Sequence, residues 1–180
     1  MARRHHSNHM NLPTIPASWF LRLDGIDHSG GIHGRGHALR VWVHATELAD
    51  EVGLPAWQRE AVHYAALWHD IGRIDDGADY YHGARSGGRV LGLGLHEALD
   101  PIIAEAAIFA VTHHCGSEHH AELALPHQLD PEGFGTVFRI LKDADALDRV
   151  RLGDLQERFL RFPQSRTRIE RAWVLLDEVR

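Results

Sequence analysis

Apolar residues recur at helical spacing in two adjacent stretches in the first half of the chain. The first stretch runs from His37 to Val52 and stops at Gly53, a residue type that commonly follows a helix end. Its apolar face comprises Val41, Ala45, Leu48 and Val52. The second stretch opens at Leu54-Pro55, with proline near its first turn, and ends at Gly72. We therefore predict two consecutive amphipathic helices.

The second half of the chain repeats this pattern. Pro101 opens a strongly apolar helix from Ile102 to Thr112, which carries His113 and His114 at its end. Gly133 to Arg151 is again helical, and its buried face comprises Val137, Ile140, Leu141, Ala144, Leu147 and Val150. Between these two helices and the first pair, Ala84 to Leu95 contains four glycines, so it is at best a helix of low intrinsic propensity.

The connecting segments are rich in glycine or in polar residues. Gly25 to Gly36 lacks the strand and spacing of a phosphate-binding fingerprint, so we interpret it as a flexible approach to a site. Ser117 to Pro131 is polar and predicted as a loop, while Leu155 to Phe162 and Thr167 to Val179 predict two closing amphipathic helices. Since no convincing strand pair occurs, we predict an all-α fold, a helical bundle.

Composition narrows the class of protein. The chain has 180 residues, 44% of them apolar and 24% charged, which is typical of a globular protein with one domain. We expect residues 1–11 to be a disordered or tag-like leader and residues 12–180 to form the single domain. A net charge of −6 gives no strong nucleic-acid signal, and no apolar run is long enough for a membrane helix. The single cysteine, Cys115, fits a reducing, cytoplasmic setting.

Histidine and aspartate are the candidate metal-binding and catalytic residues, because the chain contains 16 histidines and many flank the predicted helices. The groups concerned are His37, the pair His69-Asp70, His82, the pair His113-His114 and the acidic run from Asp143 to Asp148. Nitrogen and oxygen ligands of this kind suit Mn²⁺, Fe²⁺, Zn²⁺, Co²⁺, Ni²⁺ or Mg²⁺. The absence of a cysteine pair argues against a structural zinc knot. Periodicity leaves Asp143 and Asp145 equally placed as ligands.

Two residues near these groups have simpler interpretations. His44 lies two turns after His37 and could join the cluster, but we expect a core histidine held by hydrogen bonds. Cys115 follows the His113-His114 pair, and we expect it to behave as a small buried apolar residue rather than as a ligand.

The order His37, His69-Asp70 and Asp145 resembles the HD-domain metal-dependent phosphohydrolase superfamily, with a match from about Gly31 to Arg149. The resemblance implies a single HD-type hydrolase domain. It also implies that His37, His69, Asp70 and Asp145 bind a first divalent metal ion, and that His69 and Asp70 are catalytic. Asp143 and Asp148 would then support the ligands or form salt bridges.

The resemblance also implies a possible second metal ion, because binuclear members of the superfamily carry two further histidines before the final aspartate. His82 and either His113 or His114 match those positions, and Asp70 would then bridge two ions. One or two ions per chain are therefore expected. In a three-metal branch an acidic ligand lies four residues before the first histidine. Here that residue is His33, which is a further candidate ligand or a phosphate contact.

The function implied is hydrolysis of a phosphate ester by a metal-activated water, with a small phosphorylated substrate such as a nucleotide. Arg73, Arg85 and Lys142 are candidate substrate-binding residues, although each is equally explained as a surface ion pair. Two alternatives stay open: a di-iron oxygenase on the same scaffold, and a non-catalytic nucleotide-binding regulatory domain. Substrate, metal identity and oligomeric state are left open by the sequence.

Overall fold

Eight α-helices make up most of the structure, a computed structural model that describes residues 11–22 and 24–179. The predicted leader lies outside the described residues, apart from Asn11. The helices are α1 (Arg35–Val52), α2 (Ala56–Trp68), α3 (His82–Gly92), α4 (Pro101–His113), α5 (Glu118–Ala124), α6 (Pro131–Leu147), α7 (Pro163–Thr167) and α8 (Ile169–Glu178). Within the described ranges there is no β-strand, only one isolated bridge between Leu21 and Asp27. The predicted all-α fold is confirmed.

The core lies between α1, α2, α4 and α6, which pack against one another, while α3 lies against α4. The side chains between them are fully buried and almost all apolar; they include Val41, Leu48, Trp68, Val111, Phe134 and Leu141. Several buried alanines on α2 and α4, such as Ala65 and Ala107, leave room for neighbouring helices to approach closely. This core fixes the mutual positions of the helix ends that carry histidine and aspartate.

Residues flanking the helices set where they start and stop. Gly53 adopts a φ of +77° after α1, and its N–H donates to the carbonyls of Ala49 and Asp50. The Asp100 side chain accepts from the Ile102 N–H at the start of α4, where proline occupies the first turn. Asp130 does the same for Gly133 at the start of α6. These ends agree with the predicted ones to within a few residues.

Gly83 and Gly87 of α3 have a packing role. A Cβ atom at Gly83 would lie 2.7 Å from the Val111 carbonyl oxygen, and one at Gly87 would lie 2.5 Å from Thr112 Oγ1. Glycine therefore allows α3 to approach the end of α4, which compensates for its low helix propensity.

The predicted secondary structure of two segments was wrong. Ser117 to Pro131 is not a loop throughout, since it contains α5, where Ala121 is fully buried. Leu155 to Phe162 is not a helix and forms only a 3₁₀ turn over Glu157–Phe159. The N–H groups of Arg161 and Phe162 instead donate to Asp143 Oδ2, at 2.8 and 2.9 Å. The tertiary contact therefore takes donors that a helix would have used internally.

None of the helices within residues 11–22 and 24–179 is both long enough and apolar enough to cross a membrane.

Candidate metal centre

Five helix ends deliver the candidate ligands to one place. His37 lies in the first turn of α1, His69 and Asp70 follow α2, and His82 starts α3. His114 follows α4, and Asp145 lies in the last turn of α6. His37, His69, Asp70, His82 and His114 are all buried, whereas the Asp145 side chain is 33% exposed. The cluster is therefore open to solvent on the side of Asp145.

His37 and His69 form the first histidine pair. Their Nε2 atoms face each other at 3.0 Å. Asp145 Oδ1 lies 3.4 Å from His37 Nε2 and 4.0 Å from His69 Nε2. Asp70 Oδ2 lies 3.4 and 3.6 Å from the same two nitrogens. Two imidazole nitrogens and two carboxylate oxygens thus converge on one point.

His82 and His114 form the second pair, with Nε2 atoms 2.9 Å apart. The other oxygen of Asp70, Oδ1, lies 3.1 Å from His82 Nε2 and 3.8 Å from His114 Nε2. Asp70 therefore lies between the two pairs, with one oxygen facing each.

The opposite nitrogen of each ring is engaged. Nδ1 of His69 lies 2.8 Å from the Ala66 carbonyl oxygen, and Nδ1 of His114 lies 2.7 Å from that of Val111. His82 Nδ1 contacts the Asp79 carbonyl in the same way. A carbonyl only accepts, so each Nδ1 carries a proton, and in its neutral form each ring presents the Nε2 lone pair to the cluster. Two neutral rings placed in this way have facing lone pairs, which repel unless a proton or a metal ion lies between them.

The electrostatics of the cluster favour positive charge. Burial opposes protonation of His37, but hydrogen bonds with Asp145, Asp148 and Asp70 raise the pKa of its ring to about 10. Burial lowers the pKa of His69 to about 3. Although burial acts in the opposite direction, the surrounding histidines hold the pKa of Asp70 well below its usual range. The carboxylates are therefore ionised and attract cations.

Asp70 provides the test of whether these residues fit a metal ion. Its side chain is 2% exposed, and Oδ1 accepts no hydrogen bond of good geometry from any described residue, although Arg73 Nε lies 3.1 Å away. Leaving a buried carboxylate oxygen without a well-aligned donor is costly. A cation bound between the histidine pairs would satisfy this oxygen and the facing lone pairs together. Nitrogen and oxygen donors in this ratio are typical of Mn²⁺, Fe²⁺, Zn²⁺, Co²⁺ or Ni²⁺ sites.

The two remaining predicted ligands, His33 and His113, do not belong to either histidine pair. His33 Nδ1 lies 3.0 Å from Asp70 Oδ2 and 3.2 Å from Nη2 of Arg151, at the edge of the cluster. His113 lies outside the cluster, because its ring packs on Phe109 with centroids 4.6 Å apart. Adjacent helical residues diverge by about 100°, so His113 and His114 face different directions. The structure brings His114 to the cluster.

The predicted substrate-binding cations surround the cluster and are already engaged. Arg73 Nε lies 3.1 Å from Asp70 Oδ1, and its guanidinium donates to the Gly77 carbonyl. Arg85 donates to the Gly72 carbonyl and pairs with Asp79. Lys142 Nζ donates to the His114 carbonyl at 3.0 Å, and burial, with Arg161 nearby, lowers its pKa. All three side chains therefore help to hold the cluster's backbone or acids in place.

Asp148 and Arg40 complete the surroundings of His37. Asp148 accepts from His37 Nδ1 at 2.7 Å and from Arg40 Nε at 2.7 Å. We expected Asp148 among the supporting acids, but sequence reasoning missed Arg40. Its position three residues after His37, on the same helix face, was the available signal. Asp143 is fully buried away from the cluster, where Ser165 Oγ donates to it at 2.7 Å.

The structure corrects the expectation that the ring of His44 is held by hydrogen bonds. It is fully buried, as expected, but neither ring nitrogen has a hydrogen-bond partner among the described residues. The prediction of a hydrogen-bonded ring is therefore wrong. Burial lowers the pKa of His44 to about 3, which keeps the ring neutral.

Fold and site together define an all-α protein with a candidate centre of paired histidines around a shared aspartate. The family model of the HD domain matches residues 34–150. The chain therefore belongs to the HD-domain family, and the predicted family is confirmed. A search of the curated proteins found no match.

A comparison with solved structures supports the same fold. It matched the crystal structure of a predicted HD superfamily hydrolase from an uncultured Thermotogales bacterium, with a TM-score of 0.56 and 21% identity. The match covers 89% of this chain and 82% of that chain. Since the HD superfamily consists mostly of metal-dependent phosphohydrolases, family membership supports a metal-dependent hydrolase.

Proposed function

We propose that this protein is a binuclear metal-dependent phosphohydrolase acting on a small phosphorylated molecule such as a nucleotide. The observation that carries the proposal is the position of Asp70 between two histidine pairs, with Oδ2 facing one pair and Oδ1 the other. A carboxylate in this position is suited to bridge two cations.

The residues that would hold the two ions form two sets. Asp70 Oδ2, His37, His69 and Asp145 make the first set, and Asp70 Oδ1, His82 and His114 make the second. Divalent ions bound there would lower the pKa of a coordinated water and neutralise negative charge developing on the phosphoryl group. The partly exposed Asp145 marks the side from which substrate would approach.

A cavity of about 580 Å³ adjoins the His69-Asp70 turn and is a candidate position for the rest of the substrate. Ile71, Ile74 and Leu93 supply apolar lining, and Arg73 and Arg85 supply positive charge. Arg73 also reaches Asp70, so it connects this cavity to the cluster. An apolar wall with guanidinium groups suits a nucleoside whose phosphate is directed towards the histidines.

The acids of the nearby turn are occupied with holding the backbone. Asp75 Oδ1 accepts from the Gly77 N–H at 2.8 Å, and Asp79 Oδ1 accepts from the Tyr81 N–H at 3.0 Å. Through these contacts Asp75 and Asp79 stabilise the turn. We therefore assign ligand and catalytic roles to His69 and Asp70 rather than to the turn.

The test is a phosphate-release assay with the full chain, first stripped by a chelator and then loaded with Mn²⁺, Zn²⁺ or Co²⁺. An aryl phosphate and a set of nucleoside monophosphates serve as substrates. We expect release that requires metal and falls on the order of 100-fold or more in Asp70→Ala. Asp75→Asn, which changes an exposed turn acid, is the matched control and should retain activity. Absence of release from every ester by fully loaded protein would overturn the proposal.

A further inference from the structure

Each histidine of the second pair, His82 and His114, is followed in the chain by a small residue that contacts the other dipeptide. His82-Gly83 opens α3, and His114-Cys115 follows α4. The histidine Nε2 atoms meet at 2.9 Å, and the Gly83 N–H donates to Cys115 Sγ at 3.3 Å. The sulfur therefore lies beside the histidine pair and is held there by the backbone of the opposite dipeptide.

The sulfur is close enough to share a ligand with the two rings. Sγ of Cys115 and one ring nitrogen each of His82 and His114 lie within 4.8 Å of one another. Metal–ligand bonds of about 2.0–2.3 Å place tetrahedral ligand atoms about 3.3–3.8 Å apart. A side-chain rotation that moves the sulfur on the order of 1 Å would therefore complete the set.

Asp70 supplies an independent sign that a cation belongs at this place. Its Oδ1 is buried and faces the two Nε2 atoms at 3.1 and 3.8 Å; Arg73 Nε lies 3.1 Å from it, but no described residue donates to it with good hydrogen-bond geometry. Two nitrogens, one oxygen and one sulfur would make four protein ligands, so that a coordinated water would be a fifth ligand.

Gly83 is what allows the sulfur into this position. A Cβ atom there would lie 3.0 Å from Cys115 Sγ and 2.7 Å from the Val111 carbonyl oxygen. The Sγ–H donates to the Tyr80 carbonyl at 3.4 Å, so the thiol is oriented by two backbone groups. On metal binding the thiol proton would leave to solvent, and the Gly83 N–H would then donate to the thiolate.

We propose that Cys115 is a thiolate ligand of the metal ion at the His82–His114 site. This inference rests on the proposed binuclear centre and makes its two halves chemically different. The His37–His69 site offers only nitrogen and oxygen. The His82–His114 site adds sulfur, a soft donor that favours Zn²⁺, Co²⁺ or Cd²⁺ over Mg²⁺ and Mn²⁺.

Cobalt spectroscopy tests the proposal directly, because the chain contains only one cysteine. Any sulfur-to-cobalt charge-transfer band in the near ultraviolet must come from Cys115. We expect the band to appear and saturate when the reduced, metal-free chain is titrated with Co²⁺. It should be absent in Cys115→Ser and retained in His120→Ala, which removes an exposed histidine of α5.

A second measurement uses the unmodified protein and so does not depend on the folding of a variant. Zn²⁺ or Cd²⁺ should slow alkylation of Cys115 on the order of tenfold or more, because a coordinated thiolate is a poorer nucleophile, whereas Mg²⁺ should not. Stoichiometric Co²⁺ binding without a sulfur band would overturn the role of Cys115 and leave the proposed function standing. Failure of the histidine cluster to bind Co²⁺ at all would overturn both.

Discussion

Asp148 holds the Nδ1 atom of His37 at 2.7 Å and thereby turns the Nε2 atom of the same ring towards His69 and Asp70. The Asp148 carboxylate is fully buried and is itself fixed by Arg40, with Nε 2.7 Å from Oδ1. Burial would raise the pKa of Asp148, but His37 and Arg40 lower it, so the group stays ionised. A charged acceptor behind the ring raises the basicity of the nitrogen that faces the cluster.

Replacing Asp148 should therefore weaken metal binding without touching a ligand. We expect Asp148→Asn to lower the affinity for Zn²⁺ or Mn²⁺ by about 10–100-fold, since the neutral amide holds His37 less firmly. Competition with a chromophoric chelator measures the change. Asp154→Asn, which alters an exposed acid paired with Arg149, is the control. Equal metal affinities of Asp148→Asn and the unmodified chain would show that Asp148 does not support metal binding by His37.

The approach of α3 to the His69-Asp70 turn depends on Gly72. A Cβ atom there would lie 2.2 Å from the Ser86 nitrogen and 2.5 Å from the Arg85 carbonyl carbon. These are backbone atoms, so α3 must shift. We expect Gly72→Ala to destabilise the fold by about 1–3 kcal/mol and to displace His82. Denaturant unfolding measures the first effect, and metal affinity the second.

Gly88 provides a matched control on α3 itself. A Cβ atom at this exposed position would have no heavy atom of the described residues within 4 Å, beyond its own helix backbone and chain neighbours. Gly88→Ala should therefore stabilise the protein by about 0.5–1 kcal/mol through helix propensity. If Gly72→Ala proved as stable as Gly88→Ala, the close packing assigned to Gly72 would be wrong.

His44 should make stability sensitive to acid. Its pKa is about 3 in the folded protein against an ordinary 6.5, so the unfolded state binds its proton first as the pH falls. The stability contributed by the neutral ring is present above about pH 6.5 and is lost progressively between about pH 6.5 and pH 3. From about pH 7.5 to 5.5 the unmodified chain should lose about 1 kcal/mol more than His44→Leu.

Chemical unfolding at the two pH values, with chelator present in every sample, measures this difference. The double comparison cancels the other titrating groups, which both proteins share. Identical losses in the two proteins would show that His44 is not held neutral in the folded state.

Helix ends were predictable from the sequence because single residues determine them. Gly53 stops α1 with a positive φ, and Pro101 starts α4 next to the capping side chain of Asp100. The 155–162 segment was not predictable, since its backbone donors are taken by Asp143 from a distant helix. Local periodicity carries no information about such a partner.

The choice between neighbouring ligands also needed the fold. Asp143 and Asp145 flank the same apolar stripe, yet Asp145 faces His37 whereas Asp143 accepts from Ser165 and Arg161. Only the family resemblance selected Asp145. The position of Cys115 beside His82 depends on contact between α3 and α4, which sequence spacing does not specify.

The most direct test of the account is the metal content of the full chain purified without added metal, compared with that of Asp70→Ala. Both proteins keep the N-terminal histidines, so metal bound outside the cluster contributes equally to each. We predict about two divalent ions per chain in the unmodified protein and loss of both in the variant, because one carboxylate serves both histidine pairs. Equal metal content in the two proteins would contradict a centre built around Asp70.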